Sequence, residues 1–469
     1  MSDPRALTAE ALRGRRAWLV GGAVRDAILG RPTFDLDVAV EGDVAAAARS
    51  LARTERGPVF ELSDAFGSWR VMARNRGWQV DLSPLRGGSL EADLALRDFT
   101  VNAIAEPLEG GARVDPHGGV RDLAAGRLRA VGPEAFAADP LRVVRLVRLA
   151  AELGLGADPA TCALARTSAP GAATVAQERV FAELKRIVAG DGVVASLALM
   201  DDLGLTAAIL PELHALHGVD QNRYHHADVY AHTIEVLERA MELQADPGAT
   251  FGAAHADAVR AVLAEPLAED VDRGFGLRIG ALLHDVAKPV TLGRRDDGTP
   301  TFLGHDSAGA ELSREILTRL RAGEKLKAHA AGLARHHLRL GFLVHERPLA
   351  RRALYRYLRT TEPVEVDVTL LSVADRLATR GRKAPESIAK HLELAREVLP
   401  ATLQWRTQGR RVPLVRGDAL ATKLGLADGR EIGRLLAEID EAHFAGEVTN
   451  ADEAVAFAAR LRERGDEDH

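Results

Sequence analysis

Trp18-Leu19-Val20-Gly21-Gly22-Ala23-Val24-Arg25-Asp26, followed by Phe34-Asp35-Leu36-Asp37-Val38, is the stretch on which the reading of the chain turns. An apolar strand runs into two glycines, and a short helix begins directly after them. Glycines there let the backbone come close to a phosphate, and the helix N-terminus adds free N–H groups and the positive end of a dipole. Gly30 stands where a helix C-cap is expected. The next apolar strand carries Asp35 and Asp37, two apart and therefore on one face. Paired carboxylates on a rigid edge, beside a phosphate cradle, suit Mg²⁺ ions that align an attacking hydroxyl with a nucleotide α-phosphate. An isolated Asp-x-Asp is ordinary turn chemistry. In this order, behind a glycine pair, the two elements point to nucleotidyl transfer.

Residues 1–17 read as a polar, basic lead-in helix. From 18 to about 130 strands and helices alternate. Strands are expected at 18–20, 34–40, 58–62, 69–74, 78–82 and 112–115, and helices at 23–29, 43–53 and 90–95. Asp43 is a plausible N-cap for the alanine-rich second helix. Asp81 brings a third carboxylate into the sheet, either as a strand-end residue facing water or as a third member of the metal set. Leu96-Arg97-Asp98-Phe99-Thr100-Val101-Asn102-Ala103-Ile104 places Phe99, Ala103 and Ile104 on a buried helical face. Arg97, Asp98 and Asn102 are then a surface salt bridge with a cap, or the groups that read a ribose and its triphosphate. Asp139-Pro140 opens a long helix in which Arg142, Arg145 and Arg148 form one basic ridge. Such a ridge is usually a solvated face; beside a nucleotide, Asp139 and Arg142 would present hydrogen bonds to a base edge.

The chain's 469 residues suggest about three domains, and 46% apolar with 27% charged residues is the balance of a folded globular protein. Cys162, the single cysteine, excludes an intramolecular disulfide and a thiolate zinc site, which fits a reducing cytoplasm. No apolar run reaches membrane-spanning length, and the N-terminus does not look like a signal peptide, so no membrane partner is expected. A net charge of −6 argues against a broadly cationic nucleic-acid coat but leaves room for a local basic track. With 4% aromatics, base stacking is a minor theme.

Gly-Gly-Ala-Val-Arg-Asp with Asp-Leu-Asp, Arg-Asp-Phe-Thr-Val-Asn-Ala (97–103), Asp-Pro-His-Gly-Gly-Val-Arg-Asp-Leu (115–123) and Asp-Pro-Leu-Arg-Val-Val-Arg (139–145) follow one another in order. The set resembles the bacterial class II tRNA nucleotidyltransferase / poly(A) polymerase family. The resemblance implies that Asp35 and Asp37 hold Mg²⁺ and that Gly21, Gly22, Arg25 and Asp26 face the triphosphate. It further implies that Arg97, Asp98 and Asn102 recognise the ribose. Asp139 and Arg142, beside Arg145, would select CTP and ATP, the acceptor being a tRNA 3′ end. Gln177-Glu178-Arg179 is similar to the family's neck helix under the nucleotide. Three departures stand out. Leu96 replaces the first Arg of Arg-Arg-Asp, and Ala138 replaces the Glu of Glu-Asp-x-x-Arg. Leu85-Arg86-Gly87-Gly88-Ser89-Leu90 joins strand to helix almost directly, where full CCA-adding relatives carry a longer loop. Members that add only CC resemble the short form, and a chain of that kind needs a second tRNA-end enzyme.

A second chemical centre begins at Tyr224-His225-His226-Ala227-Asp228-Val229-Tyr230-Ala231-His232, continues at Leu283-His284-Asp285-Val286-Ala287-Lys288 and ends at Ala374-Asp375-Arg376. An adjacent His-Asp on an apolar helix is costly to bury without partners. A cation bound by His232, His284, Asp285 and Asp375 supplies them, and this donor set suits Mn²⁺, Ni²⁺, Co²⁺ or Fe²⁺. The spacing resembles the HD phosphohydrolase superfamily, which would place Lys288 near a substrate phosphate. His305, with His336 or His337, would complete a second metal position. Further on, Arg406, Arg410, Arg411 and Arg416 are either a solvated basic loop or a contact for tRNA phosphates. The end of the chain, 464–469, reads as a disordered acidic tail.

The expected fold is α+β, a mixed-sheet nucleotidyltransferase head (1–135) followed by an all-helical neck (136–210), an HD domain (211–385) and a helical C-terminal region (386–469). Two rival readings share these motifs: a poly(A) polymerase, and an HD phosphohydrolase whose head only binds RNA.

Overall fold

The structure, a computed structural model, describes residues 3–63, 67–221, 228–268, 270–380, 384–408 and 412–467. Tyr224, His225, His226, Arg410 and Arg411, singled out above, lie outside the described residues. The chain divides into two compact units, Met1–Ile209 and Leu210–His469.

The first unit opens on α1 (Pro4–Ala11), capped by the Asp3 carboxylate, shorter than the lead-in helix expected over 1–17. A six-stranded mixed sheet follows, from β1 (Ala17–Val20), β2 (Asp35–Val40), β3 (Val59–Ser63), β4 (Ser68–Met72), β5 (Gln79–Pro84) and β6 (Ala105–Pro107). Their order is β3-β4-β5-β2-β1-β6, with β2 and β5 parallel and the other pairs antiparallel. All of β1 is buried. In β2 burial alternates from exposed Asp35 and Asp37 to a buried C-terminal half, the period-2 signature that put both carboxylates on one face. The β-to-α switch is made by α2 (Gly22–Ile28), while α3 (Val44–Glu55) packs Ala47, Ala48 and Leu51 inward behind the Asp43 cap.

Two local expectations are corrected. Over 112–115 only Val114 pairs, as an isolated bridge to Ala105, and the strand beside β1 is β6. Around 96–104 the buried positions are as read, Phe99, Ala103 and Ile104 being wholly inaccessible, but there is no long helix. After α4 (Leu90–Ala95) the chain extends at Phe99, which bridges Ala130, and makes a single 3₁₀ turn at Thr100–Asn102. Helices then dominate, chiefly α5 (Leu141–Leu153) and α6 (Gln177–Ala189).

The second unit is helical: α7 (Val229–Ala245), α8 (Arg273–Leu283), α9 (His305–Arg319), α10 (Glu324–His336), α11 (Glu365–Leu377) and α12 (Ala384–Gln408). Its centre is α11, buried without interruption from Glu365 to Ala374, packed against α7 and α8. Three last helices, α13 (Gly417–Leu424), α14 (Gly429–Ala445) and α15 (Ala451–Glu467), share a separate core around Leu420, Leu435, Ile439 and Ala458. The expected acidic tail is helical as far as Glu467. Arg406 turns to Glu265 and the Pro363 carbonyl, so it is committed within the fold, whereas Arg416 is exposed beside Asp418. No helix among the described residues is long and apolar enough to cross a membrane. The α+β class, a mixed-sheet head with a helical remainder, is as the sequence implied.

Two candidate active sites

In the first unit a cleft of about 480 Å³ is lined by the glycine pair, Asp37, Arg97, Asp98, Asn102, Arg142 and Arg145. Gly21 caps α2 with φ 70° and ψ −136°, a conformation that penalises any side chain. A Cβ there would stand 2.8 Å from Arg97 Nη1 and 3.4 Å from Asp37 Oδ2, so the missing side chain lets those two groups close over the turn. Desolvation within the cleft raises the Asp37 pKa; Arg97 opposes this, and Asp81 and Asp35 add to it. Such concentrated negative charge fits divalent cations.

Asp81 does stand beside Asp37, as its in-register partner across β2–β5. Yet both its oxygens accept from Arg70 of β4, at 2.6 and 2.7 Å. The third carboxylate is present but engaged.

The remaining head residues form one chain of hydrogen bonds. Arg25 donates to both oxygens of Asp26, at 2.8 and 2.9 Å, and to Asn102 Oδ1 at 2.6 Å. Asn102 donates to Asp98 Oδ1 at 3.0 Å, and Arg145 faces Asp98 Oδ2 at 3.3 Å. Burial would raise the Asp98 pKa, but Arg145 and these donors outweigh it and lower it. Asp98 Oδ2 and Arg145 Nε are buried without a hydrogen-bond partner among the described residues. Both residues line the cleft, so polar capacity is left for a ligand.

The basic ridge of α5 is not a solvated face. Arg148 is buried between Glu183 and Glu152. Arg142 donates to the carbonyls of Leu96, Ala135 and Arg97, at 2.8, 3.0 and 3.3 Å. Asp139 accepts from Arg179 at 2.9 Å and from the Leu141 N–H at 3.2 Å. Glu178 is exposed.

Sequence reasoning passed over Asp93, Arg86 and Arg70. The β5–α4 connection is a 3₁₀ turn, Arg86–Gly88, followed by Ser89 capping α4. Asp93, buried in α4, accepts from Arg86 N and Nε at 3.3 and 2.8 Å and from Arg97 Nη2 at 3.0 Å. Burial acts to raise the Asp93 pKa, but the two guanidiniums overcome it and hold it low. The signal was there as charge spacing, since Asp93 and Arg97 are an i,i+4 pair.

The second unit gathers its predicted residues more tightly. His232, His284 and Asp375 offer ligand atoms within 4.8 Å of one another, and Asp285, His305 and His337 do the same. Asp285 faces both groups: Oδ2 lies 3.2 Å from His284 Nε2, and Oδ1 lies 3.4 Å from His305 and 3.8 Å from His337. His284, His305 and His337 each direct Nδ1 at a carbonyl three residues back, of Ala281, Phe302 and Ala334, at 2.8, 2.7 and 2.7 Å. That bond puts the proton on Nδ1 and leaves the Nε2 lone pair for a cation. His305 Nε2 and His337 Nε2 face each other at 3.3 Å, an arrangement a shared cation relieves. His284 Nε2 and Asp285 Oδ1 are buried without a hydrogen-bond partner among the described residues. The donor set therefore fits metal.

One expectation is corrected here: His337, not His336, joins this group. Consecutive residues at a helix end point about 100° apart, so only one of the two can face Asp285. Burial, with Arg339 and Arg335 nearby, pushes His336 down to about 4. Burial beside His284 likewise pushes His337 to about 4, which keeps its imidazole neutral for ligation. Asp285 lies well below the carboxylate range; its burial is outweighed by His284 and Lys288. Lys288 Nζ sits 2.6 Å from Asp285 and 2.7 Å from Gln221 Oε1.

Residues 17–129 match the family described as "Poly A polymerase head domain". Residues 154–216 match "Probable RNA and SrmB- binding site of polymerase A", and 229–380 match "HD domain". The A-adding tRNA nucleotidyltransferase of Deinococcus radiodurans is 36% identical over 95% of this chain and 96% of its own length. The CC-adding tRNA nucleotidyltransferase of Thermus thermophilus is 36% identical over 94% of this chain and 92% of its own. A Thermotoga maritima CCA-adding enzyme solved with tRNA shares the fold, with a TM-score of 0.62 at 19% identity over 98% of this chain and 94% of that one. The glycine turn, paired aspartates, Arg25–Asn102–Asp98–Arg145 network and histidine-rich helical centre thus occur in a chain that, on near full-length identity, belongs to the tRNA nucleotidyltransferase / poly(A) polymerase family and carries an HD domain.

Proposed function

We propose that the head transfers CMP from CTP to the 3′ end of tRNA and stops at CC, a second enzyme adding the terminal A. The observation that carries the CC reading is the β5–α4 connection. A site without a nucleic-acid template that accepts C and then A must change shape between steps. Here the connection is the 3₁₀ turn Arg86–Gly88, pinned through Arg86 to buried Asp93. The connection is short, and Arg86 ties it to α4 through Asp93.

In this reading the N-terminus of α2 and Gly21–Gly22 cradle the triphosphate. Asp98 and Asn102, fixed by Arg25 and Arg145, hold the ribose. Asp139, held by Arg179, and Arg142, held by three carbonyls, present a rigid edge to the cytosine before it arrives. Asp35 and Asp37 would hold Mg²⁺, which lowers the pKa of the attacking hydroxyl and neutralises charge at the α-phosphate. Pyrophosphate leaves.

A second reading, A addition, is favoured by the equal identity to an A-adding relative. Incubation with CTP, ATP and Mg²⁺, followed by product sequencing, separates the two. The acceptors are one tRNA lacking CCA and one ending in CC. A stop at CC on the first acceptor supports the proposal. Growth to CCA, or A addition to the CC-ended tRNA alone, overturns the CC reading. Long A tails on unrelated RNA would mark a poly(A) polymerase, and no incorporation on either acceptor would leave a head that only binds RNA.

For the HD centre we propose a phosphohydrolase acting on tRNA ends, such as 2′,3′-cyclic phosphates or 2′-phosphates. His232, His284 and Asp375 would hold one transition metal (Mn²⁺, Ni²⁺, Co²⁺ or Fe²⁺), and Asp285, His305 and His337 a second. Such a metal activates water for attack on phosphorus. Lys288 steadies Asp285 and stands ready for a substrate phosphate. Metal analysis of the purified protein and hydrolysis of 2′,3′-cyclic AMP test this. The substrates, like the lone Cys162, fit a cytoplasmic setting.

A further inference from the structure

Transfer chemistry does not account for Arg70. Its side chain lies on the sheet face that carries the acidic residues, because Arg70 is the direct partner of Asp81 across β4–β5 and Asp81 of Asp37 across β5–β2. The order across the three strands is Arg70, Asp81, Asp37. Nε and Nη2 of the guanidinium donate to the two oxygens of Asp81, at 2.6 and 2.7 Å. A planar fork on a carboxylate is the strongest geometry this pair can adopt. Both partners are about three-quarters shielded from water, with side-chain exposures of 28% and 23%. The fork occupies one lone pair on each Asp81 oxygen and sets a full positive charge against the carboxylate, so a cation approaching Asp81 meets a neutralised group.

We propose that Arg70 is a positioning residue, a fixed counter-ion that keeps Asp81 out of the metal set so that Asp35 and Asp37 alone hold the head's divalent cations. This rests on the transferase reading above. Its consequence concerns when metal binds. Mg²⁺ is commonly held by one or two carboxylates together with substrate phosphates. With Asp81 neutralised, the empty head presents two carboxylates and binds ions weakly, and the nucleotide's phosphates complete the coordination. With Asp81 released, three carboxylates on one face would bind an ion before any nucleotide arrives. Arg70 thereby ties metal occupancy to substrate occupancy.

The test counts Mn²⁺ bound to nucleotide-free full-length protein, from loss of the free-ion EPR signal. The variant Asp35→Ala/Asp37→Ala supplies the HD centre's share for subtraction. Arg70→Gln should tighten head binding about tenfold, equivalent to roughly 1.4 kcal/mol. Asp81→Asn should leave head binding within about twofold of wild type, a change of under about 0.5 kcal/mol. Arg70→Gln/Asp81→Asn should return to wild type, because the gain runs through the freed carboxylate. Arg70→Lys, which keeps the charge but loses the fork, should fall between wild type and Arg70→Gln. Near-UV circular dichroism checks that each variant is folded. Unchanged or weaker binding in Arg70→Gln overturns the proposal, and so does tightening that survives in the double variant. Loss of binding in Asp81→Asn alone would make Asp81 a ligand and Arg70 merely structural. If Asp35→Ala/Asp37→Ala binds as much Mn²⁺ as wild type even where the ion is raised to saturation, the metal reading of the head itself has failed, which is a separate result.

Discussion

Replacing Gly21 by Ala tests the head at its tightest point. The residue sits at φ 70° and ψ −136°, and holding a side chain in such a sparsely populated region costs about 1–3 kcal/mol. The new Cβ would stand 2.8 Å from Arg97 Nη1. That guanidinium can retreat only by loosening its bonds to Asp93, at 3.0 and 3.2 Å, and a charged hydrogen bond of this kind is worth about 1.5–3 kcal/mol. A total of about 2–4 kcal/mol follows if the second loss is partial. At about 2–4 °C per kcal/mol for a unit of this size, the head should melt about 5–15 °C lower. Gly22→Ala is the internal control. Gly22 begins α2 without positive φ, and its Cβ would meet only Arg25 Nη2 at an ordinary 3.4 Å. Alanine gains up to about 1 kcal/mol of helix propensity there, so that variant should be neutral or slightly stabilised. Tryptophan fluorescence reads the head selectively, because Trp18, Trp69 and Trp78 lie in the first unit and only Trp405 in the second. The KM for CTP should rise about tenfold in Gly21→Ala, a loss of roughly 1.4 kcal/mol of binding. Equal melting points for the two variants would refute the reasoning.

Further expectations follow from the same geometry. Asp93→Asn should destabilise the head by about 1–3 kcal/mol at pH 7. Because the native carboxyl is depressed, its stabilisation is present above the unfolded value of about 3.9 and disappears as pH falls through the native one. The gap between wild type and variant, measured by denaturant titration, should therefore close in acid. His337→Ala should lose bound transition metal by elemental analysis, whereas His336→Ala should keep it; equal metal content would contradict the ligand assignment. Chelator should lower the melting temperature reported by helical circular dichroism, since ligand binding adds stability to the native state, while the head tryptophan signal holds. Asp367→Ala should cost about 3–5 kcal/mol by leaving Arg273 charged and unpaired in the interior; the two pair where both are buried.

The fold was legible in period and punctuation. Alternation of Asp35, Leu36, Asp37 and Val38 gave strand and face together, and Asp43 marked the start of α3. The segment 96–104 resisted, because the spacing of Phe99, Ala103 and Ile104 has a helical period while an extended Phe99 and one 3₁₀ turn bury the same residues. At the HD centre, the positions of His232, His284, Asp285 and Asp375 were readable in order along the chain, but the choice between His336 and His337 depends on where α10 ends. Arg70 was invisible for a different reason. Its partner is fixed by the register between β4 and β5, and nothing in the local sequence announces a cross-strand contact. The ridge of Arg142, Arg145 and Arg148 was legible as a ridge but not in its direction, since Glu183, the acid facing both Arg145 and Arg148, lies on another helix farther along the chain.

The bonds from three imidazole Nδ1 atoms to the carbonyls of Ala281, Phe302 and Ala334 have an evolutionary consequence. In many metal centres the groups that orient the ligands are themselves side chains, each open to loss by a single base change. Here three of the orienting acceptors are peptide oxygens, which every residue type supplies. Substitution at 281, 302 or 334 changes what those positions pack against without deleting the acceptor. The ligand tautomers are thus inherited with the path of the main chain, and drift at those positions can be wide while the centre keeps its proton arrangement.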